Sequence, residues 1–278
     1  MPPATPLKWS AATQLETVSP NARNIFTYDR VAKDGVPFRY ASLNADQQNM
    51  LSLLEVDYLR GDDTFEEPAG PFRARETTLG DIVNSAPKSV GRPEGIRRDR
   101  SPFPTDLLYS DFAETHKDRR RVVYVGANDG MLHAFDAGFQ QQTPIDNGTG
   151  DEMFAFVPNK LIDSTQRFNN DLDQLTSLVY SHKYFVDLTP TVEDVFIKPN
   201  GSGARAWRTL LVGGLRGGGK GYFALDVTDP EAIAASETSG ARSVLWEFTD
   251  EDDSYPVDLN GVPEADLSGP LPICRVSL

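Results

Sequence analysis

The chain has 278 residues, 39% of them hydrophobic and 24% charged, and a formal net charge of −14. That composition allows a sizeable buried core and excludes disorder throughout. No run approaches the roughly 20 apolar residues of a membrane span, and the opening MPPATPLKWS has neither the basic nor the apolar region of an intact secretion signal. Charge is unevenly placed: residues 1–121 carry 17 Lys+Arg against 18 Asp+Glu, residues 122–278 only 10 against 23. This acidity argues against nucleic acid as a partner. The clusters Arg97, Arg98, Arg100 and Lys117, Arg119, Arg120, Arg121 are interleaved with or flanked by acids and read as solvated surface. The single Cys274 permits neither an internal disulfide nor a cysteine-only zinc site.

In chain order, residues 1–40, with Pro2, Pro3, Pro6 and Pro20, show no sustained period and read as an extended leader with one strand near residues 24–28. Residues 41–121 read as helical decoration that leads into a first set of strands. A helix fits residues 45–60: Asn44 caps it, Gln47 stands at the capping-box position, Met50, Leu51, Leu54 and Tyr58 form an apolar stripe, and Gly61 stops it. A helical turn is expected over 77–84 and a second short helix over 105–116, with a polar loop over 91–101.

From residue 85 onward the chain repeats itself with spacers of unequal length. Ser85-Ala86-Pro87 is answered by Leu188-Thr189-Pro190, VVYVG (122–126) by TLLVG (209–213), LHAFDA (132–137) by YFALDV (222–227), and MFAFV (153–157) by VLWEF (244–248). Each segment is β-branched or aromatic and bounded by Gly, Asn, Asp or Pro, so each copy reads as four short antiparallel strands, the make-up of a propeller blade. Asn128-Asp129-Gly130 supplies hairpin chemistry, with positive φ expected at its centre. Asp136 and Asp226 are expected to accept amides of the following turns, Ala134 and Ala224 to keep the sheets close, and Phe154 and Trp246 to fill the space between blades. The fold class is therefore mainly β: an incomplete β-propeller of about two four-stranded blades with helical insertions, the partial propeller running from 122 to 278. Pro272-Ile273 is expected to open a third blade, and the open strand edge and interblade face predict self-association of the isolated chain.

At YLRGDD, LGDIVNSAP, VVYVGANDGMLHAFDAG, YSHKYFVDLTPTVEDVF and LLVGGLRGGGKGYFALDVTDP the sequence closely resembles the propeller domain of the PilY-type type IV pilus biogenesis and tip-adhesin family. The motifs run in family order from about Asn21 to Asp253, and the last twenty residues depart from the pattern. The resemblance implies the C-terminal propeller of a much longer secreted protein, here without its N-terminal portion and later blades. It also implies a non-enzymatic role: pilus assembly with minor pilins and the assembly machinery, opposition to retraction, and contact with surfaces from the pilus tip. The implied location is the cell surface, the pilus tip, or the periplasm or outer membrane of a Gram-negative bacterium. Calcium is implied for the family, at a loop expected to lie outside this chain. Arg60, Gly61 and Asp62 match a family position held to contact host integrins, which makes them a candidate integrin-binding tripeptide. The residues themselves read differently, with Arg60 ending a helix and Gly61 stopping it.

Other motifs carry less chemistry. Residues 214–220 match G-x-x-x-x-G-K, but Gly221 stands where the magnesium-binding hydroxyl belongs and a strand follows, so nucleotide binding is not expected. His116, His133 and His182 lack metal-ligand spacing, and His133, at the place of Phe223, reads as a half-buried strand residue. Asp151 and Glu152 are adjacent and face different ways, unsuited to paired acid-base work. Asp250, Glu251, Asp252 and Asp253 lack the alternation and turn glycine of a calcium loop. No catalytic, cofactor-binding or metal residues are assigned. The alternative from another class is a quinoprotein-like, PQQ-dependent dehydrogenase propeller fragment.

Overall fold

The computed structural model describes residues 8–93, 97–139, 146–163, 171–198 and 204–252. Pro272-Ile273 and Asp253 lie outside them. Two sheets carry the fold. The second copy of the repeat forms β7 (Thr191–Ile197), β8 (Ala206–Gly214), β9 (Gly221–Asp226) and β10 (Val244–Thr249), in order β10-β9-β8-β7. The first copy forms β3 (Lys88–Val90), β4 (Val122–Gly126), β5 (Leu132–Asp136) and β6 (Glu152–Val157), every neighbouring pair antiparallel. Both four-stranded blades read from the repeat are present, with the first strand of each starting just after Ser85-Ala86-Pro87 and Leu188-Thr189-Pro190, not at them.

The first sheet has six strands because the expected leader is part of it. Residues 8–40 hold a short helix, α1 (Ala11–Leu15), and a hairpin of β1 (Ile25–Asp29) and β2 (Asp34–Pro37). β1 pairs in parallel with β6, giving the order β2-β1-β6-β5-β4-β3. Ile25, Phe26, Thr27 and Tyr28 are all buried, each apolar side chain worth roughly 1.5–3 kcal/mol on removal from water. The β6 edge that two bare blades would expose is thereby closed.

Residues 45–60 form two helices, α2 (Ala45–Met50) and α3 (Leu53–Leu59), where one was expected. Asn44 and Gln47 make the expected capping box. Ser52 and Glu55 make a second one, and Leu51 between them is extended, so the second cap ends the first helix. The apolar face turns accordingly: Met50, Leu51, Val56, Tyr58 and Leu59 are buried, whereas Leu54 is exposed. Residues 77–84 are not helical, because other elements take their backbone groups: Gly80 N–H donates to Asp129 Oδ2, Asn84 N–H to Asp187 Oδ1, and Asp81 O accepts from Asn128 N–H. The helix expected over 105–116 is α4 (Tyr109–Thr115).

Cross-strand pairing also corrects the repeat by one residue. Val122 opposes Asp136, but it is Leu210, not Thr209, that opposes Asp226. The counterpart of 122–126 is thus 210–214, and Gly126 matches Gly214; the doubled Gly213-Gly214 hides the offset in the sequence. The hairpin at 127–131 is longer than a two-residue turn, and Gly130 alone of Asn128, Asp129 and Gly130 has positive φ, +91°. Asp136 accepts amides of Gly138 and Thr149, and Asp226 the amide of Thr228, as expected.

The blades pack face to face, Phe156 against Phe223 with ring centroids 4.9 Å apart; Ala134 is fully buried on the Phe156 face, whereas Ala224 is fully buried on the face away from Phe223. Phe154 packs between Phe26 and Tyr124. Trp246 opposes Ala224 on the other face of the second sheet and stays half-buried, so it does not fill the seam with Phe223. Between β9 and β10, α6 (Glu237–Ala241) lies against the β1–β2 hairpin, and α5 (Pro230–Ala234) packs on α6 and β6. The approach there is close: a Cβ on Gly35 would fall 1.9 Å from Ala241 O, and one on Gly240 2.5 Å from the Phe26 ring.

Candidate functional site

The Arg60-Gly61-Asp62 tripeptide closes α3 with a complete Schellman motif: Gly61 N–H donates to Tyr58 O at 2.8 Å and Asp62 N–H to Asp57 O at 3.0 Å. Gly61 supplies the required positive φ, +112°. An Ala at this position should cost on the order of 1 kcal/mol through the backbone, measurable as a shift in urea midpoint at unchanged m-value.

Arg60 points inward and is 1% exposed. Its Nη1 donates to Phe38 O at 2.9 Å and lies 2.8 Å from Glu237 Oε1, while Nη2 donates to Pro20 O and Arg23 O at 3.0 and 2.9 Å. Burial pushes the guanidinium down to about 10 against the pull of Glu237, which leaves it charged at neutral pH. Glu237 Oε2 also holds Arg39 Nε at 2.8 Å. One carboxylate at the start of α6, in the second blade, thus gathers two arginines from the N-terminal segment. The Thr64 side chain and then its N–H, which donates to the Asp62 carboxylate at 2.8 Å, hold that carboxylate below the usual range. The tripeptide therefore does not present its arginine at the surface.

Behind it lies a second buried set of charges. Arg23 Nε and Nη2 grip the two oxygens of Glu152 at 2.7 and 2.9 Å, and Arg23 Nη1 donates to Arg60 O at 2.7 Å. Glu152 Oε1 meets His133 Nδ1 at 2.7 Å, and His133 Nε2 meets the Asp129 carboxylate at 3.0 Å. Asp129 in turn accepts the amides of Gly80 and Met131. His133 is completely buried, where half-burial was expected. Burial alone would push its pKa down, but Asp129 and Glu152 outweigh it and raise it from 6.5 to about 9. Asp129 and Glu152 both sit below their ordinary values: burial raises each, and His133 with Arg23 more than reverses that. With two cations and two anions the set is neutral, the condition for keeping four ionised groups out of water.

This set makes stability depend on pH. His133 has a folded pKa above its unfolded one, so its contribution is full below about pH 6.5 and is lost as pH rises through about 9, on the order of 3 kcal/mol. Glu247, pushed up to about 8 by burial although the Asn159 and Lys160 amides bind its carboxylate, adds to the same fall. The readout is therefore a difference: between pH 6.5 and 9.5 the melting temperature of wild type should fall further than that of His133→Gln.

The remaining motifs are structural. Residues 216–218 form a single 3-10 turn before β9, so no helix N-terminus follows the G-x-x-x-x-G-K match, and a Cβ on Gly218 would lie 1.9 Å from Phe185 O. Lys220 lies 3.3 Å from Asp250. Asp250 and Asp252 face Lys160, Lys220 and Arg30, not one another's ion. Among the described residues no three His, Cys, Asp or Glu side chains are placed to hold a metal ion. Asp151 is exposed and Glu152 turns inward, so the pair is split.

The family model described as the PilY1 beta-propeller domain matches residues 79–263. The type IV pilus biogenesis factor PilY1 of Pseudomonas aeruginosa (strain PAK) is 37% identical over 259 residues, covering 86% of this chain. The chain belongs to the PilY1 family. It spans 19% of that relative's length. A PilY1 homolog of Xylella fastidiosa (strain Temecula1 / ATCC 700964) is 41% identical over 202 residues, 72% of this chain and 14% of the relative. The crystal structure of the Pseudomonas aeruginosa PilY1 C-terminal domain shares 36% identity over 59% of this chain and 25% of that one, with a TM-score of 0.38. The PilY1 propeller match begins after Arg23, Arg39 and Arg60 but contains Glu152, His133 and Glu237. Both charge sets thus tie residues upstream of the match to the blades themselves.

Sequence reasoning missed Arg23, Glu152 and Glu237 as partners, since Arg23 and Glu152 are 129 residues apart and Arg39 and Glu237 are 198. One signal was present: His133 replaces the aromatic Phe223 in the middle of an otherwise apolar strand, with Asp129 four residues before it.

Proposed function

We propose that this chain is a non-enzymatic propeller segment of a type IV pilus assembly factor, acting in the envelope or on the surface of a Gram-negative bacterium. The observation that carries the reading is the 37% identity, across 86% of the chain, to proteins named as type IV pilus biogenesis factors. The described residues add a scaffold: two blades locked to an upstream segment by buried charges, which suits a protein that holds partners such as minor pilins together. Association with the pilus tip and attachment to surfaces follow from the same family reading. Integrin capture through Arg60 does not, because that guanidinium is buried. Nothing supports the quinoprotein alternative. In a strain that makes type IV pili, deletion of the full gene should strip surface pili counted by electron microscopy, and the gene in trans should restore them. Normal piliation in the deletion strain contradicts the proposal.

A further inference from the structure

We propose that the cleft between β3 and β7 binds an extended, acidic peptide segment. The cleft has a volume of about 430 Å³, within the roughly 300–1,000 Å³ of ligand sites. Lys88, Arg92, Arg119 and Arg121 line it against two carboxylates, Glu193 and Asp194, on a chain whose net charge is −14. Both carboxylates are engaged: Asp194 accepts Tyr109 OH at 2.7 Å and Thr209 Oγ1 at 2.6 Å, and Glu193 pairs with Arg97 at 3.2 Å.

The hydrogen-bond acceptors of two of the arginines are neutral. Arg119 donates to Gly91 O, Thr209 Oγ1 and Thr228 O, and Arg121 to Ala137 O and Asp146 O. Lys88 is exposed on β3. Burial lowers the Arg119 pKa in spite of the nearby Asp194, so an added anion would relieve a cost already present.

The cleft also lies between the outermost strands of both sheets. Edge strands offer unpaired amides and carbonyls, which an extended chain satisfies and a compact anion does not. The acidic side chains would meet Lys88 and Arg121, and the backbone would add to an edge. This inference is independent of the pilus reading.

Fluorescence anisotropy with a labelled eight-residue Glu-Thr alternating peptide tests it on the whole chain. Binding is expected at low salt despite the like net charges, at least tenfold weaker for the Gln-Thr peptide and for a peptide N-methylated at alternate amides. Lys88→Glu should weaken binding at least tenfold at unchanged melting temperature, and Lys33→Glu, the same charge change on the β1–β2 turn, should not. Absence of binding, equal binding of the Gln-Thr or N-methylated peptide, or displacement by equimolar inorganic phosphate overturns the proposal. So does equal loss in Lys33→Glu and Lys88→Glu.

Discussion

Arg60→Ala should destabilise the chain by about 3–5 kcal/mol, a fall in melting temperature on the order of 10 °C, while Asp62→Glu should cost under about 1 kcal/mol. The asymmetry follows from where the two side chains go. Arg60 is the shared donor for three backbone carbonyls, Phe38, Pro20 and Arg23, and the partner of Glu237. Its loss leaves buried acceptors unsatisfied and a mostly buried carboxylate half-paired. Asp62 holds one turn amide at a partly exposed site. A receptor-facing tripeptide gives a different pattern, with both variants folding as wild type and losing binding together. Thermal unfolding of the two variants side by side distinguishes the cases without any receptor.

Arg23→Ala should be comparably damaging, again about 3–5 kcal/mol, because it strips Glu152 of its bidentate partner at a site where both side chains are almost wholly buried. The paired variant Arg23→Met with Glu152→Met should recover part of that loss, since it removes one charge of each sign and leaves His133 with Asp129. The recovery stays partial because His133 Nδ1 loses its acceptor. Denaturant melts of the single and paired variants measure the coupling directly. Additive losses would show that the two groups do not act as one unit.

Much of this architecture was legible in the sequence, for local reasons. The strands of both blades follow from short β-branched and aromatic runs between turn residues, and Asn44 with Gln47 marks a helix start because a cap is a contact between neighbours in the chain. The second capping box, Ser52 with Glu55, is equally local, but the longer apolar stripe that runs across it masks the break between the two helices. The one-residue slip between 209–213 and 210–214 had no local sign, since register is set by the facing strand. The role of β1 was illegible for a stronger reason: its parallel partner β6 lies about 130 residues away, and no sequence period records which edge a strand will close. The same distance concealed the charge set. Arg23 and Glu152 each look like ordinary surface residues until the sheet brings them together.

Residues 8–60 are a built-in part of the blade structure. Hydrogen exchange of the backbone amides in Ile25–Asp29 tests this most directly. The ladder amides should be protected nearly as well as those of Leu132–Asp136 in β5, and should lose that protection in Arg60→Ala well before β5 itself opens. Exchange of the Ile25–Asp29 amides at the rate of an unstructured chain, with β5 fully protected, would contradict this.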